Sequence, residues 1–188
     1  MAGSPRRNSN TDILLREVLK GAESHGAETK TVVIPNFNIM ACQNCDACLA
    51  SGSCPFGDSM PQVMQDLAWA DRVVLAAPLH FMGLPSQTKA LIDRTQAQWV
   101  KKYILKQPPL GDNRERRGIF VSAGGRRGDN LFAPAEATVK SFFASLDIKY
   151  DGLIAYSGID KRAEILNHAE ALAAAFAAGE KLVLGTVQ

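Results

Sequence analysis

The chain has 188 residues, 46% of them hydrophobic and 21% charged, with a formal net charge of +2. That length suits one compact α/β domain spanning 1–188, and the composition excludes a disordered or fibrous chain. The arginines are grouped locally, at Arg6–Arg7, Arg114–Arg117 and Arg126–Arg127, rather than along one stripe, which argues against a nucleic-acid partner.

In chain order, apolar spacing at Ile13, Leu14, Val18 and Leu19 after Ser9 and Asn10 predicts a helix over Asn10–Ser24. Thr31–Ile34 is a short β-branched strand. Asp58–Ala68 reads as a helix capped by Asp58 or Ser59, with Met60, Val63, Met64 and Leu67 on one face. Arg72–Ala77 has the pattern of a buried strand, and Ser86–Lys101 that of the next helix. Pro108, Pro109, Gly111 and Asp112 break the periodicity and place Lys106–Arg117 in a loop. Gly118–Ser122 is a strand, Leu131–Leu146 a helix and Gly152–Tyr156 a strand. Lys161–Gly179 is a last helix, expected to end at Gly179. Alternating strands and helices imply a parallel sheet covered on both faces. A doubly wound sheet needs a central strand leading into the first loop, so a strand of about six residues is expected upstream of Met1 or missing.

No run reaches the roughly 20 apolar residues of a membrane span. The arginine-bearing start has no apolar stretch after it, as a secretory signal requires, so a cytoplasmic protein with no membrane partner is expected.

Three loops carry candidate chemistry. Gly3-Ser4-Pro5-Arg6-Arg7-Asn8-Ser9-Asn10-Thr11 opens onto a helix and offers backbone N–H groups, hydroxyls and arginine at a positive helix end, which is an anion site. It has neither the Lys-Ser/Thr ending of a nucleotide P-loop nor three spaced glycines, so a mononucleotide phosphate fits better. A polar turn with an N-cap is the plain structural alternative. The second loop, Ala77-Pro78-Leu79-His80-Phe81-Met82-Gly83, follows a strand end, where open α/β sheets bind ligands. Phe81 and Met82 supply apolar surface for a flat ring, although core packing explains either residue singly. In the third, Ser122-Ala123-Gly124-Gly125, small residues allow close backbone approach.

All four cysteines fall between Cys42 and Cys54, spaced Cys42-x2-Cys45-x2-Cys48-x5-Cys54 in a loop at 40–58. That run is too tight for a disulfide framework. Four thiolates suit a cubane iron–sulfur cluster. Zinc accepts the same donors but more often takes two separated pairs, and four free thiols are the third possibility. Asn44, Asp46 and Ser53 stand beside these ligands.

The Gly-Ser-Pro-Arg loop, the Ala-Pro-Leu-His-Phe-Met-Gly turn followed by Lys89 and Asp93-Arg94, and the Ser-Ala-Gly-Gly strand end together resemble the NADPH-dependent FMN reductase superfamily of flavodoxin-like proteins. The cysteine run, followed by Gly57-Asp58-Ser59-Met60, is similar to its iron–sulfur flavoprotein branch. The resemblance implies a three-layer sandwich around a five-stranded parallel sheet of order 2-1-3-4-5. It implies FMN, with Ser4, Arg6, Ser9, Asn10 and Thr11 on the phosphate, Pro78, Leu79, His80, Phe81 and Met82 along the isoalloxazine, and Ser122, Ala123, Gly124 and Gly125 on its far side. Many relatives carry tyrosine where His80 stands. It further implies a [4Fe–4S] cluster on Cys42, Cys45, Cys48 and Cys54. Electrons would pass between cluster, flavin and an external donor or acceptor, with no catalytic acid or base. A homodimer or homotetramer is expected, with Trp69, Phe81 and Trp99 as exposed apolar surface. Two alternatives stay open: a cluster-free NAD(P)H-dependent FMN or quinone reductase, in which Arg126 and Arg127 meet a nucleotide phosphate, and a zinc-stabilised binding module.

Overall fold

Alternation of apolar side chains along the strands divides the molecule into two cores, one on each face of a parallel sheet. The structure, a computed structural model, describes residues 1–128 and 130–185. The strands β1 (Arg72–Ala76), β2 (Arg116–Gly124) and β3 (Ile148–Ser157) pair in that order, all parallel. Val73, Leu75 and Phe120 point into one core, while Val74, Ala76, Ile119 and Val121 point into the other. A strand buried on both faces therefore reads as a continuous apolar run. The first core is covered by α2 (Met60–Trp69), α3 (Ser86–Arg94) and α5 (Ala133–Ser145). The second is covered by α1 (Asn10–Glu23) and α6 (Ala169–Leu184).

Three strands form ladders, where five were expected; the other two positions carry single bridges. The Ala2 amide donates to Val32 O at 2.8 Å and Ile34 N donates to Ala2 O at 2.9 Å. On the other side Gly3 N donates to Ala76 O at 2.7 Å and Ala76 N to Met1 O at 2.9 Å. Met1–Gly3 therefore lies in the middle of the sheet, between Val32–Ile34 and β1, and this extended segment leads into the first loop. Pro35 ends the segment before it, because Ile34–Asn36 winds into a 3₁₀ turn. A cavity of about 800 Å³ opens at the amino-terminal edge of the sheet, lined by Met1, Val32, Leu67, Trp69, Val74 and Leu182 among others.

Two helices differ from expectation. The segment 86–101 is not one helix: α3 stops at Arg94, α4 covers Gln96–Trp99, and Val100–Ile104 is a π-helical turn. At the break, Thr95 Oγ1 donates to Ile92 O at 2.6 Å and lies 3.4 Å from Ser145 Oγ, a side-chain bond that competes with the helical ladder. Gly179 does not end the last helix but sits inside α6. A Cβ there would lie 1.9 Å from Val18 O, and one at Gly21 would lie 2.0 Å from Phe176 O. The two glycines let α1 and α6 cross backbone against backbone.

Candidate functional site

The carboxyl-terminal ends of the strands bring together the three loops singled out in the sequence. Thr88 Oγ1 donates to Gly3 O at 3.1 Å, tying the first loop to α3. Ser122 Oγ donates to Ala77 O at 2.8 Å, and the Ala77 and Leu79 amides donate to Val121 O and Ala123 O. The second and third loops thus continue the β1–β2 ladder beyond the strands.

At the first loop, Ser9 caps α1 in a reciprocal capping box. Its Oγ accepts the Asp12 amide at 3.1 Å, and the Asp12 carboxylate accepts the Ser9 amide at 3.2 Å. Ser4, Ser9, Asn10 and Thr11 are buried, whereas Arg6 and Arg7 are exposed. The Asn10 side chain is already engaged: Nδ2 donates to Lys161 O at 3.0 Å and Oδ1 accepts from Ile165 N at 3.1 Å. Asn10 consequently fastens the first loop to the segment after β3, a role its sequence context does not advertise. The first-turn amides of Asn10 and Thr11 have no carbonyl within α1 to receive them, so the helix start keeps its capacity for an anion.

The second loop is strained. Phe81 and Met82 have φ of 50° and 63°, in a two-residue turn closed by His80 N to Gly83 O at 3.0 Å and Gly83 N to His80 O at 2.9 Å. Such turns favour Asn-Gly, and a bulky residue at positive φ costs on the order of 1–3 kcal/mol. The turn holds the Phe81 ring fully in solvent, with a relative exposure of 107%. Leu79 instead packs on the first core, and His80 is exposed. In the third loop Ser122 and Ala123 are buried, and Gly125 faces out. The room beside Gly125 is used by Asp160, whose Oδ1 would lie 2.6 Å from an added Cβ. Trp69 lines the cavity at the opposite edge of the sheet, so it does not share one apolar face with Phe81.

The cysteine loop is held at the carboxyl end of α3 and the start of α4. Cys42, Cys45, Cys48 and Cys54 all line one small cavity with Phe56, Arg94 and Gln96. Cys45 is exposed and the other three are half-buried. Burial pushes the Cys48 thiol up, partly offset by a backbone hydrogen bond and reinforced by the other three cysteines, which stand close enough to repel its charge. Left-handed Asn44 (φ 50°) and Asp46 (φ 58°) curl the backbone between the ligand positions. Among the described residues, no three His, Cys, Asp or Glu side chains stand close enough to share one metal ion.

The neck of this loop is closed by a backbone bond, Ser59 N donating to Asn38 O at 3.0 Å, and by one buried side chain. Asp58 Oδ2 accepts the Met40 amide at 2.9 Å and Oδ1 accepts the Met60 amide at 3.0 Å, joining the loop's two ends. Arg94 completes the closure: it forms a forked pair with the Asp58 carboxylate and donates to Met40 O at 3.0 Å. Both side chains are 1% exposed. Burial works against ionised Asp58, but the Arg94 hydrogen bond and the two amides outweigh it and hold the carboxyl below its ordinary range. Burial likewise opposes charge on Arg94, and Asp58 and then Cys54 more than restore it. Of the two expected caps, Asp58 or Ser59, Ser59 holds the position without a side-chain bond, while Asp58 accepts the first helical amide, that of Met60, and also serves the loop neck.

A family model described as NADPH-dependent FMN reductase matches residues 1–179. The chain belongs to that family. Among relatives, an "Iron-sulfur flavoprotein" of Methanosarcina thermophila is 32% identical over 127 residues, 68% of this chain and 62% of its own. An "Iron-sulfur flavoprotein" of Archaeoglobus fulgidus is 34% identical over 127 residues, 68% of this chain and 61% of its own. The chain thus spans about three-fifths of the length of these two relatives. Among solved structures, an NAD(P)H:quinone oxidoreductase from Methanothermobacter marburgensis superposes with a TM-score of 0.68 at 16% identity, covering 98% of this chain and 94% of that one. This likeness establishes the flavodoxin-like α/β fold. Among the described residues, no helix is long and apolar enough to cross a membrane.

Proposed function

We propose that the chain is an FMN-dependent oxidoreductase whose four cysteines hold a [4Fe–4S] cluster, with electrons passing between cluster, FMN and an external partner such as NAD(P)H. The observation that carries this reading is the convergence of Cys42, Cys45, Cys48 and Cys54 on one cavity backed by a buried cation. Four thiolates and a compensating positive charge are what an anionic cluster requires of protein. The names of the iron–sulfur relatives agree with it. FMN and the cluster would supply one- and two-electron transfer; the chain supplies binding, orientation and electrostatics.

For FMN, Arg6, the hydroxyls of Ser4, Ser9 and Thr11, and the first amides of α1, including that of Asn10, would take the phosphate. Phe81 and Met82 present apolar surface for the ring, with Pro78, Leu79 and His80 beside them and Ser122, Ala123, Gly124 and Gly125 on the far side. The exposed, strained Phe81 turn supports a flat ligand at this position. The bridges made by Met1–Gly3 and Val32–Ile34 support a sheet of five positions in the order 2-1-3-4-5.

An anaerobic absorption spectrum with iron, zinc and flavin content per chain tests the reading. Flavin with about four irons per chain supports it. Flavin without iron leaves a cluster-free reductase, zinc in place of iron removes the electron-transfer role of the cysteines, and absence of flavin sinks the proposal.

A further inference from the structure

Arg94 is over-provided for a salt bridge. Its two terminal nitrogens satisfy the Asp58 carboxylate and Met40 O, yet among the described residues Nε is buried without a hydrogen-bond partner, while Cys54 already interacts with the guanidinium. An orphaned buried donor costs about 1–3 kcal/mol, and a pair serving only to close the loop neck would leave none. The guanidinium lines the cysteine cavity together with Cys54, and the Phe56 ring lies over it at 4.9 Å, shielding it from water on that side. Between Arg94 and solvent stands the cysteine loop itself.

We propose that Arg94 is a positioning residue of the cysteine site: its free Nε–H is the donor for the Cys54 sulfur in the cluster-bound protein, and its charge raises the cluster's reduction potential. The inference rests on the cluster reading above. A reduced cluster carries one more negative charge than an oxidised one, so a fixed cation beside a ligand sulfur favours the reduced form. Asp58 opposes this in part. The two members of the pair should therefore move the potential in opposite directions, which a purely structural bridge would not do.

The test compares wild type, Arg94→Gln, Asp58→Asn and the double variant, each purified anaerobically. Iron and sulfide content of the wild type comes first, and its absence ends the cluster reading independently of Arg94. With iron present, redox titration gives the cluster midpoint, with the flavin midpoint as internal reference. Arg94→Gln is expected to lower the reduced-to-oxidised ratio about tenfold at fixed potential, which is about 59 mV for one electron, while Asp58→Asn raises it and the flavin midpoint stays put. An unchanged cluster midpoint in Arg94→Gln, or shifts of the same sign in both single variants, overturns the proposal. Should Arg94→Gln lose its iron, the double variant, which buries no charge, decides: a midpoint below wild type supports the role, and a wild-type midpoint or no uptake of iron overturns it.

Discussion

The loops at the strand ends and the cysteine loop both touch α3, at Thr88 and at Arg94, and are secured in different ways. Ala77, Leu79 and Ser122 extend the β1–β2 ladder by backbone and hydroxyl bonds, and Asn10 ties the first loop to Lys161 and Ile165. Attachment there is shared among many short bonds from several elements. The loop from Phe37 to Ser59 has few contacts of that kind: beside one backbone bond from Ser59 N to Asn38 O, its two ends meet on one carboxylate held by one arginine. Distributed anchoring tolerates the loss of any single bond, whereas the cysteine loop concentrates its attachment in a pair whose members are both charged and both buried.

The largest effect should come from breaking that pair. Asp58→Ala leaves Arg94 buried without a counter-ion and is expected to cost about 3–5 kcal/mol, read by urea unfolding, with new proteolytic cuts between residues 40 and 58. The same carboxylate makes the loop acid-sensitive. Because the folded state holds Asp58 below its ordinary range, its contribution is complete above the unfolded carboxyl value of about 4 and is lost as pH falls through the depressed folded value. Asp58→Asn should flatten that acid limb of an unfolding series. If the loop opens at the same pH in both proteins, the pair is not the loop's main anchor.

Next in size is the opposite face. Gly179→Ala forces a methyl into Val18 O and is expected to cost about 3 kcal/mol, at the upper end for overpacking, without altering iron content. A smaller change of opposite sign is expected at the strained turn. Replacing Phe81–Met82 by Asn-Gly relieves two left-handed backbones and should stabilise the protein by about 1 kcal/mol. FMN binding, followed by quenching of flavin fluorescence, should weaken as the exposed ring is removed. Stabilisation with unchanged FMN affinity would detach Phe81 from the flavin. Last, Lys89→Ala breaks an exposed pair with Asp93 and should shift stability by no more than about 0.5 kcal/mol.

The sequence carried β1, α1, α2 and α5 to within a few residues, because each has a clean period and a local start or stop. It mislaid features decided by distant partners. Gly179 has the composition of a helix end, and only the approach of Val18 shows why it stands inside one. The break at Thr95 follows from a hydroxyl that turns back to Ile92 O and meets Ser145, fifty positions away in sequence. At the candidate site the cysteines were legible from spacing alone. Asp58 was visible as a cap candidate and within a family motif, and Arg94 only as part of a family motif; neither reading showed their pairing. A buried ion pair between positions 36 residues apart leaves no periodic signal.

Helix α3 begins at Ser86, shortly after the Phe81 turn, and ends at Arg94, which lines the cysteine cavity. Nine residues at about 1.5 Å each make a rod of roughly 13 Å, with its hydroxyl at Thr88 pinned to Gly3. The rod sets the separation between the Phe81 turn and the cysteine cavity as a ruler does, and gives its ends opposite polarity: the positive end at the turn, the negative end toward the cysteines. An anionic group is thus favoured at one end and disfavoured at the other, and the guanidinium of Arg94, on the last turn, reverses the sign beside the cysteines.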